Sequence, residues 1–160
     1  MENLNSSNKK TLTLPFLVTR GLVVFPNLTE SIEAARPYST KAIDISRSES
    51  NSLIFVGVQK VLTKDEVTGE EDVFMTATLA RIVNFVVAGN SYRIRVIGSK
   101  RVKLTAVRFE NGAFKADGYV IEDMLGDQAE ETALIRRIVN MVEQNPAIAH
   151  DIPKNALNSL

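Results

Sequence analysis

The apolar residues of this 160-residue chain change their period once, near Asp123, and that change limits the fold more than any other feature. Before it, β-branched and aromatic residues come in short runs and alternations, cut by Pro15, Pro26, Pro37 and the Asn111-Gly112 pair. Such punctuation suits strands and tight turns and excludes long helices. After it, Leu134, Ile135, Ile138, Val139 and Val142 follow the spacing of one helical face. Strands first and helices last imply an α+β fold. The expected form is a mostly antiparallel sheet curled into a pseudo-barrel with a short helix, followed by a C-terminal helical segment.

The chain reads as extended from Leu12 to about Ile32, with Pro26 closing a strand. Arg36 and Pro37 introduce the short helix, where Ser39 or Thr40 is expected to cap free amides while Ala42, Ile43 and Ile45 face inward. The serine-rich SRSESNS run reads as a turn, and Leu53 to Leu62 as an apolar strand buried on both faces. Residues Thr63 to Asp72 are charged and aperiodic, which predicts an exposed hairpin loop. Strands follow over Val73–Val87, from Tyr92 to a break expected at Gly98, over Arg101–Phe109 and over Phe114–Ile121. Asp127, with Glu130 three residues on, predicts the cap of the last helix, and Pro146 its end. The stretch IPKNALNSL begins another helix without a polar finish, so the chain is expected to continue. These readings divide it into a polar, disordered leader (1–11), a β-rich domain (12–123) and the start of a helical linker (124–160).

Chemistry is sparse. Nineteen basic residues balance nineteen acidic ones, so no net field draws the molecule to nucleic acid or anionic lipid. The absence of cysteine removes disulfides, thiolate zinc sites and cysteine nucleophiles. The single histidine, His150, cannot build a multi-histidine metal site, and no segment has the phosphate-loop pattern that binds ATP. Ser99 and Lys100 are adjacent on a strand and point to opposite faces, so they cannot share a proton. The carboxylates Asp65, Glu66, Glu70, Glu71 and Asp72 lack the ligand spacing of a calcium loop. Arg93, Arg95, Lys100, Arg101, Lys103 and Arg108 form a basic surface without interleaved aromatics, so nucleic acid is not the expected partner. No stretch is long and apolar enough to cross a bilayer, and the expectation is a soluble, cytoplasmic protein. What remains is recognition through exposed apolar groups.

Several separated segments resemble the amino-terminal domain of the Lon family of ATP-dependent proteases. LPFLVTRGLVVFP is similar to that family's opening through Arg20, Phe25 and Pro26, and ARPYSTKAI to its next segment through Arg36, Ser39 and Ala42. LIFVGVQK resembles a family strand through Ile54, Phe55, Gln59 and Lys60. TLARI matches through Thr78, Ala80 and Ile82, and RVIGSKRVKL through Val96, Gly98 and Arg101. The chain departs from the pattern at Val18, Thr19, Ala35 and Ala77.

The resemblance implies a substrate-recognition and assembly domain of an ATP-dependent serine protease that degrades misfolded, damaged and selected regulatory proteins. ATP and magnesium, the motor and the catalytic serine-lysine pair would all belong to the parent protein, which would assemble as a ring, a hexamer in the family. These residues alone would carry no catalytic group, cofactor or metal. The candidates for touching unfolded substrate are Phe25, Leu28 and Ile32 after the first strand and Val86 and Val87 beside the 88–91 turn, with packing in the core or between subunits as the competing role. Arg20, Arg36 and Arg101 are expected to tie elements together. The alternative from another class is a freestanding pseudo-barrel module that binds RNA or a small ligand.

Overall fold

A computed structural model describes residues 9–124 and 126–145. Six strands and two α-helices follow in the order β1 (Thr11–Thr19), β2 (Thr29–Ala34), α1 (Pro37–Glu49), β3 (Leu53–Val58), β4 (Thr76–Ala88), β5 (Ser91–Glu110), β6 (Ala113–Val120) and α2 (Gln128–Glu143), with one 3-10 turn at Glu70–Asp72. The described residues fall into two compact units, divided between Glu122 and Asp123.

In the first unit the strands form one sheet in the order β2-β5-β4-β3-β1-β6, and β5 pairs with β6 as well. That last pairing closes the sheet into a ring, with β2 attached outside it to the first half of β5. Every pairing is antiparallel except β1 with β3, which run parallel, Phe16 opposite Phe55 and Thr19 opposite Val58. Closure depends on the length of β5. Its twenty residues serve β2 and β4 first, then β4 and β6, and register shifts at Leu79/Ala80, Ile82/Asn84 and Leu104/Ala106 supply the bends a closed sheet needs.

Alternation places apolar residues on both faces of the central strands. Leu14, Phe16, Val18, Phe55, Val102, Leu104 and Ala116 meet in one cluster. Leu17, Ile54, Val56, Ala80, Ile82, Ile94 and Val96 meet in the other, beneath Ala42 and Ile43 of α1. A strand buried on both faces reads as a continuous apolar run, as β3 does.

Some local expectations need correction. Neither Ser39 nor Thr40 caps α1: Pro37 occupies its first turn and has no amide to satisfy, Ser39 is buried, and the Thr40 hydroxyl donates back to the Pro37 carbonyl at 3.0 Å. Only the end of the serine-rich run is the expected turn, and its first four residues, Ser46 to Glu49, complete the helix. Ser46 is buried there and donates to the Leu53 carbonyl at 2.7 Å, tying α1 to the start of β3, and the chain reverses only at Asn51 and Ser52, both left-handed. The apolar strand ends at Val58, and Val61 and Leu62 are exposed. The strand expected from Val73 starts at Thr76, and β1 begins at Thr11, one residue early.

Gly98 does not break a strand. A Cβ there would lie 2.2 Å from the Phe25 carbonyl oxygen, so the glycine admits the backbone of another segment against a continuous β5.

In the second unit, the Asp127 carboxylate accepts from the Ala129 amide at 2.9 Å and caps α2 as expected, with Glu130 and Glu131 in the favourable first turn. The readings of residues 1–8, Pro146, His150 and IPKNALNSL lie outside the described residues.

Candidate apolar recognition surface

The segment from Leu22 to Leu28 links β1 to β2, and hydrogen bonds hold its backbone at several points. The Thr19 hydroxyl donates to the Leu22 carbonyl at 2.5 Å and the Thr78 hydroxyl to the Val24 carbonyl at 2.6 Å. At Gly98, the Asn27 amide donates to the glycine carbonyl and the glycine amide to the Leu28 carbonyl, both at 2.9 Å. The Leu28 amide closes a turn onto the Phe25 carbonyl at 3.3 Å, with Asn27 left-handed inside it. This backbone sets an alternation: Val24 is buried at 3% exposure, whereas its neighbours Val23 and Phe25 are 47% and 48% exposed and Leu28 is 51% exposed. Beside the turn, Ile97 is also exposed, and Val23 and Phe25 border a groove of about 230 Å³ reaching Val58, Thr76 and Arg101.

The structure therefore gathers two of the five sequence candidates, Phe25 and Leu28. Ile32 is not a surface residue: it is 6% exposed and packs with Val24, Ile94 and Val96, because the inward phase of β2 falls on it and Ala34. Val86 and Val87 are exposed but stand apart. They lie opposite Arg93 and Tyr92 near the end of the β4–β5 hairpin, about 17–20 Å along the strand from Gly98. As neighbours on a strand they project from opposite faces, so they share no patch.

Val23 and Ile97 escaped the sequence reading. Ile97 was legible in principle, since it lies on the face of β5 opposite Ile94 and Val96. Val23 was not, because the alternation around it belongs to a loop fixed by distant hydrogen bonds.

Two of the three motif arginines, Arg36 and Arg20, have side-chain partners. Arg36 donates to the Gln59 side-chain oxygen at 2.7 Å and to the Tyr38 hydroxyl at 2.8 Å. Gln59, 1% exposed, donates in turn to the Val61 and Lys64 carbonyls at 2.6 and 2.9 Å. Arg20 donates to the Asp65 carbonyl at 3.2 Å. Arg101 is exposed and joins elements only through its backbone carbonyl, which accepts from the Ile121 amide at 2.9 Å, so its side chain does not fill the expected tying role.

The charged loop is mostly exposed, as expected, but side-chain bonds tie it down and Val67 is buried within it. Asp72 takes the Lys64 ammonium at 2.7 Å and the Thr68 amide and hydroxyl at 2.8 Å, and Val67 is buried beside it. The Lys64 bond, then those from Thr68, holds the Asp72 carboxyl far below the usual range. Arg108, then Thr13, lowers Asp117 in the same way.

Among the described residues no cluster of metal-ligating side chains occurs, and no helix is long and apolar enough to cross a membrane. Ser99 donates to the Leu79 carbonyl at 3.1 Å, away from any proton-transfer role with Lys100. Arg93 lies 3.8 Å from Glu33, and Arg108 pairs with Glu110 and Asp117, which offsets part of the basic surface. The surface offers adhesion of apolar groups.

Residues 13–159 match the family described as the ATP-dependent protease La (LON) substrate-binding domain. The Lon protease of Clostridioides difficile (strain 630) is 29% identical over 156 residues, which is 92% of this chain and 19% of that protein. The Lon protease of Ureaplasma parvum serovar 3 is 33% identical over 112 residues, 69% of this chain and 14% of that protein. That of Escherichia coli (strain K12) is 23% identical over 158 residues, 98% of this chain and 20% of the relative. The chain thus spans about a fifth or less of the length of these relatives. In fold, the N-terminal domain of Mycobacterium avium complex Lon protease is similar with a TM-score of 0.69 at 16% identity, covering 93% of this chain and 76% of that one. The Lon N-terminal domain protein from Xanthomonas campestris gives 0.58 at 19% identity, covering 82% and 73%.

Proposed function

Since this chain belongs to the family of ATP-dependent protease La (Lon) substrate-binding domains, we propose that it captures non-native protein for an ATP-dependent serine protease. The observation that carries this reading is the Leu22–Leu28 segment, where hydrogen bonds fix the backbone so that Val23, Phe25 and Leu28 stay in solvent. A rigid apolar display loses little entropy on contact and recognises exposed hydrophobic groups rather than one sequence. Misfolded, damaged and selected regulatory proteins carry such groups.

The chemistry belongs to other parts of the protein. A motor binding ATP and magnesium would pull the captured chain, and a serine-lysine pair would cleave it. Assembly into a ring, a hexamer in this reading, would multiply modest affinities by effective concentration. The cytoplasm is the proposed location. Val86 and Val87, at the far end of the hairpin, are proposed as a second contact for substrate or a neighbouring subunit. Against RNA as the partner, acidic side chains stand beside Arg93 and Arg108 on the basic surface.

The test is an NMR titration of the chain with an unfolded protein, its folded counterpart and a short RNA, at low and moderate salt. Shifts at Val23, Phe25 and Leu28 with the unfolded partner only, insensitive to salt, are expected. Salt-sensitive shifts at Arg93, Arg95 and Arg101 with RNA would overturn the reading.

A further inference from the structure

A separate cleft of about 420 Å³ opens between the end of β1 and β2, and its walls are two strand edges. β2 is paired on one side only, by β5. The bond from the Gly98 amide to the Leu28 carbonyl sets the phase of that ladder. Glu30, Ile32 and Ala34 therefore turn their backbone groups to β5, while Ser31 and Glu33 turn theirs the other way, into the cleft.

The opposite wall repeats the arrangement. β1 meets β6 only from Thr11 to Pro15 and β3 only from Phe16 to Thr19. The Gln59 amide donates to the Thr19 carbonyl at 3.1 Å, so Leu17 and Thr19 face β3 and Val18 faces the cleft. Among the described residues, nothing pairs with the backbone amides and carbonyls of Val18, Ser31 and Glu33. Leu17, Ile32 and Ala34 give the lining a buried apolar part. Arg20 and Glu33, both exposed, put opposite charges at its rim.

We infer that this cleft takes an extended segment of non-native polypeptide as an added strand, bonded through its backbone to Ser31 and Glu33 on one side and to Val18 on the other. The inference rests on the substrate-capturing role proposed above and supplies its chemistry. Backbone bonds carry no side-chain identity, so such a site reads the absence of folding, and the apolar lining favours small or apolar side chains at alternate positions. A folded protein keeps most of its backbone groups paired and offers few such segments. Because both edges of the guest would be satisfied, the site differs from an ordinary exposed sheet edge, which satisfies one.

The test uses the full chain, labelled for NMR, and a capped peptide in which valine alternates with serine. Versions of the peptide carry N-methyl groups on every second residue, in either phase. Binding is expected to shift the Ser31 and Glu33 amides and slow their exchange with solvent. N-methylation in either phase should weaken binding by about tenfold or more, since each phase faces one wall. Ser31→Pro removes a cleft-facing donor without touching the β5 ladder and should weaken binding similarly. The peptide versions keep the test valid even if the proline variant misfolds.

Three results overturn the inference. Shifts confined to Phe25, Leu28 and Ile97, indifferent to N-methylation, would discard the cleft and leave the substrate-capturing role standing. No response to the peptide or to an unfolded protein would remove both. Concentration-dependent shifts at Ser31 without peptide would assign the cleft to a second copy of this chain.

Discussion

Two connections, from β1 to β2 and from β3 to β4, use their side chains in opposite ways. The Leu22–Leu28 segment is apolar, yet Val23, Phe25 and Leu28 stand in solvent while its carbonyls and amides are bonded to Thr19, Thr78 and Gly98. The segment from Val61 to Asp72 is charged, yet Lys64, Thr68 and Asp72 bind one another and Gln59 bonds to its carbonyls from inside. In each case composition misstates the role. What a loop shows to solvent is decided by where its backbone is anchored.

The largest expected effect tests the anchor of the first segment. Gly98→Ala places a Cβ 2.2 Å from the Phe25 carbonyl oxygen, and the clash is with backbone that cannot swing aside. A loss of about 3 kcal/mol in denaturant unfolding is expected. A loss below about 0.5 kcal/mol, the range of ordinary surface changes, would mean the segment is not held there and the comparison fails.

The second tests the anchor of the charged segment. Gln59→Leu keeps the volume but strands the Lys64 carbonyl, leaves the Val61 carbonyl with only the Lys64 amide, and deprives Arg36 of its acceptor. A cost of about 2 kcal/mol follows, read in the same unfolding experiment. Arg36→Ala should be largely non-additive with it, since both remove one network.

The smallest effect concerns pH. The Asp72 carboxyl is lowered in the folded chain, so its contribution is present above the ordinary carboxylate value of 3.8 and is lost as pH falls through the lowered one. Asp117 has the same sign. Stability should therefore fall below about pH 4, and Asp72→Asn should flatten that part of the curve while leaving the binding of unfolded protein unchanged. An unaltered acid limb would show that the loop's ion pair is already open in solution.

The sequence readings succeed and fail for physical reasons visible in these elements. β3 was legible because burial on both faces writes a continuous apolar run, and α2 because its apolar residues recur at helical spacing. The closing β5–β6 pairing follows from Asn111-Gly112, both left-handed in a tight turn. The last turns of α1 were hidden because serine usually signals a loop, whereas Ser46 donates to Leu53 and Ser48 to the Asp44 carbonyl. Gly98 was misread because the close approach of Phe25, seventy-three residues earlier, leaves no local pattern. The candidate surface was half legible: Phe25 and Leu28 stood out as apolar residues flanking Pro26, but the burial of Ile32 and the separation of Val86 and Val87 depend on strand phase and register.

The central claim is that a rigid segment presents apolar side chains for capture rather than for packing. The most direct measurement is the affinity of the Phe25→Ser, Leu28→Ser double variant for an unfolded protein, set beside its unfolding free energy. The account predicts a loss of affinity of about tenfold or more with stability changed by less than about 1 kcal/mol. Unchanged affinity with stability lowered by several kcal/mol would assign these residues to packing and contradict it.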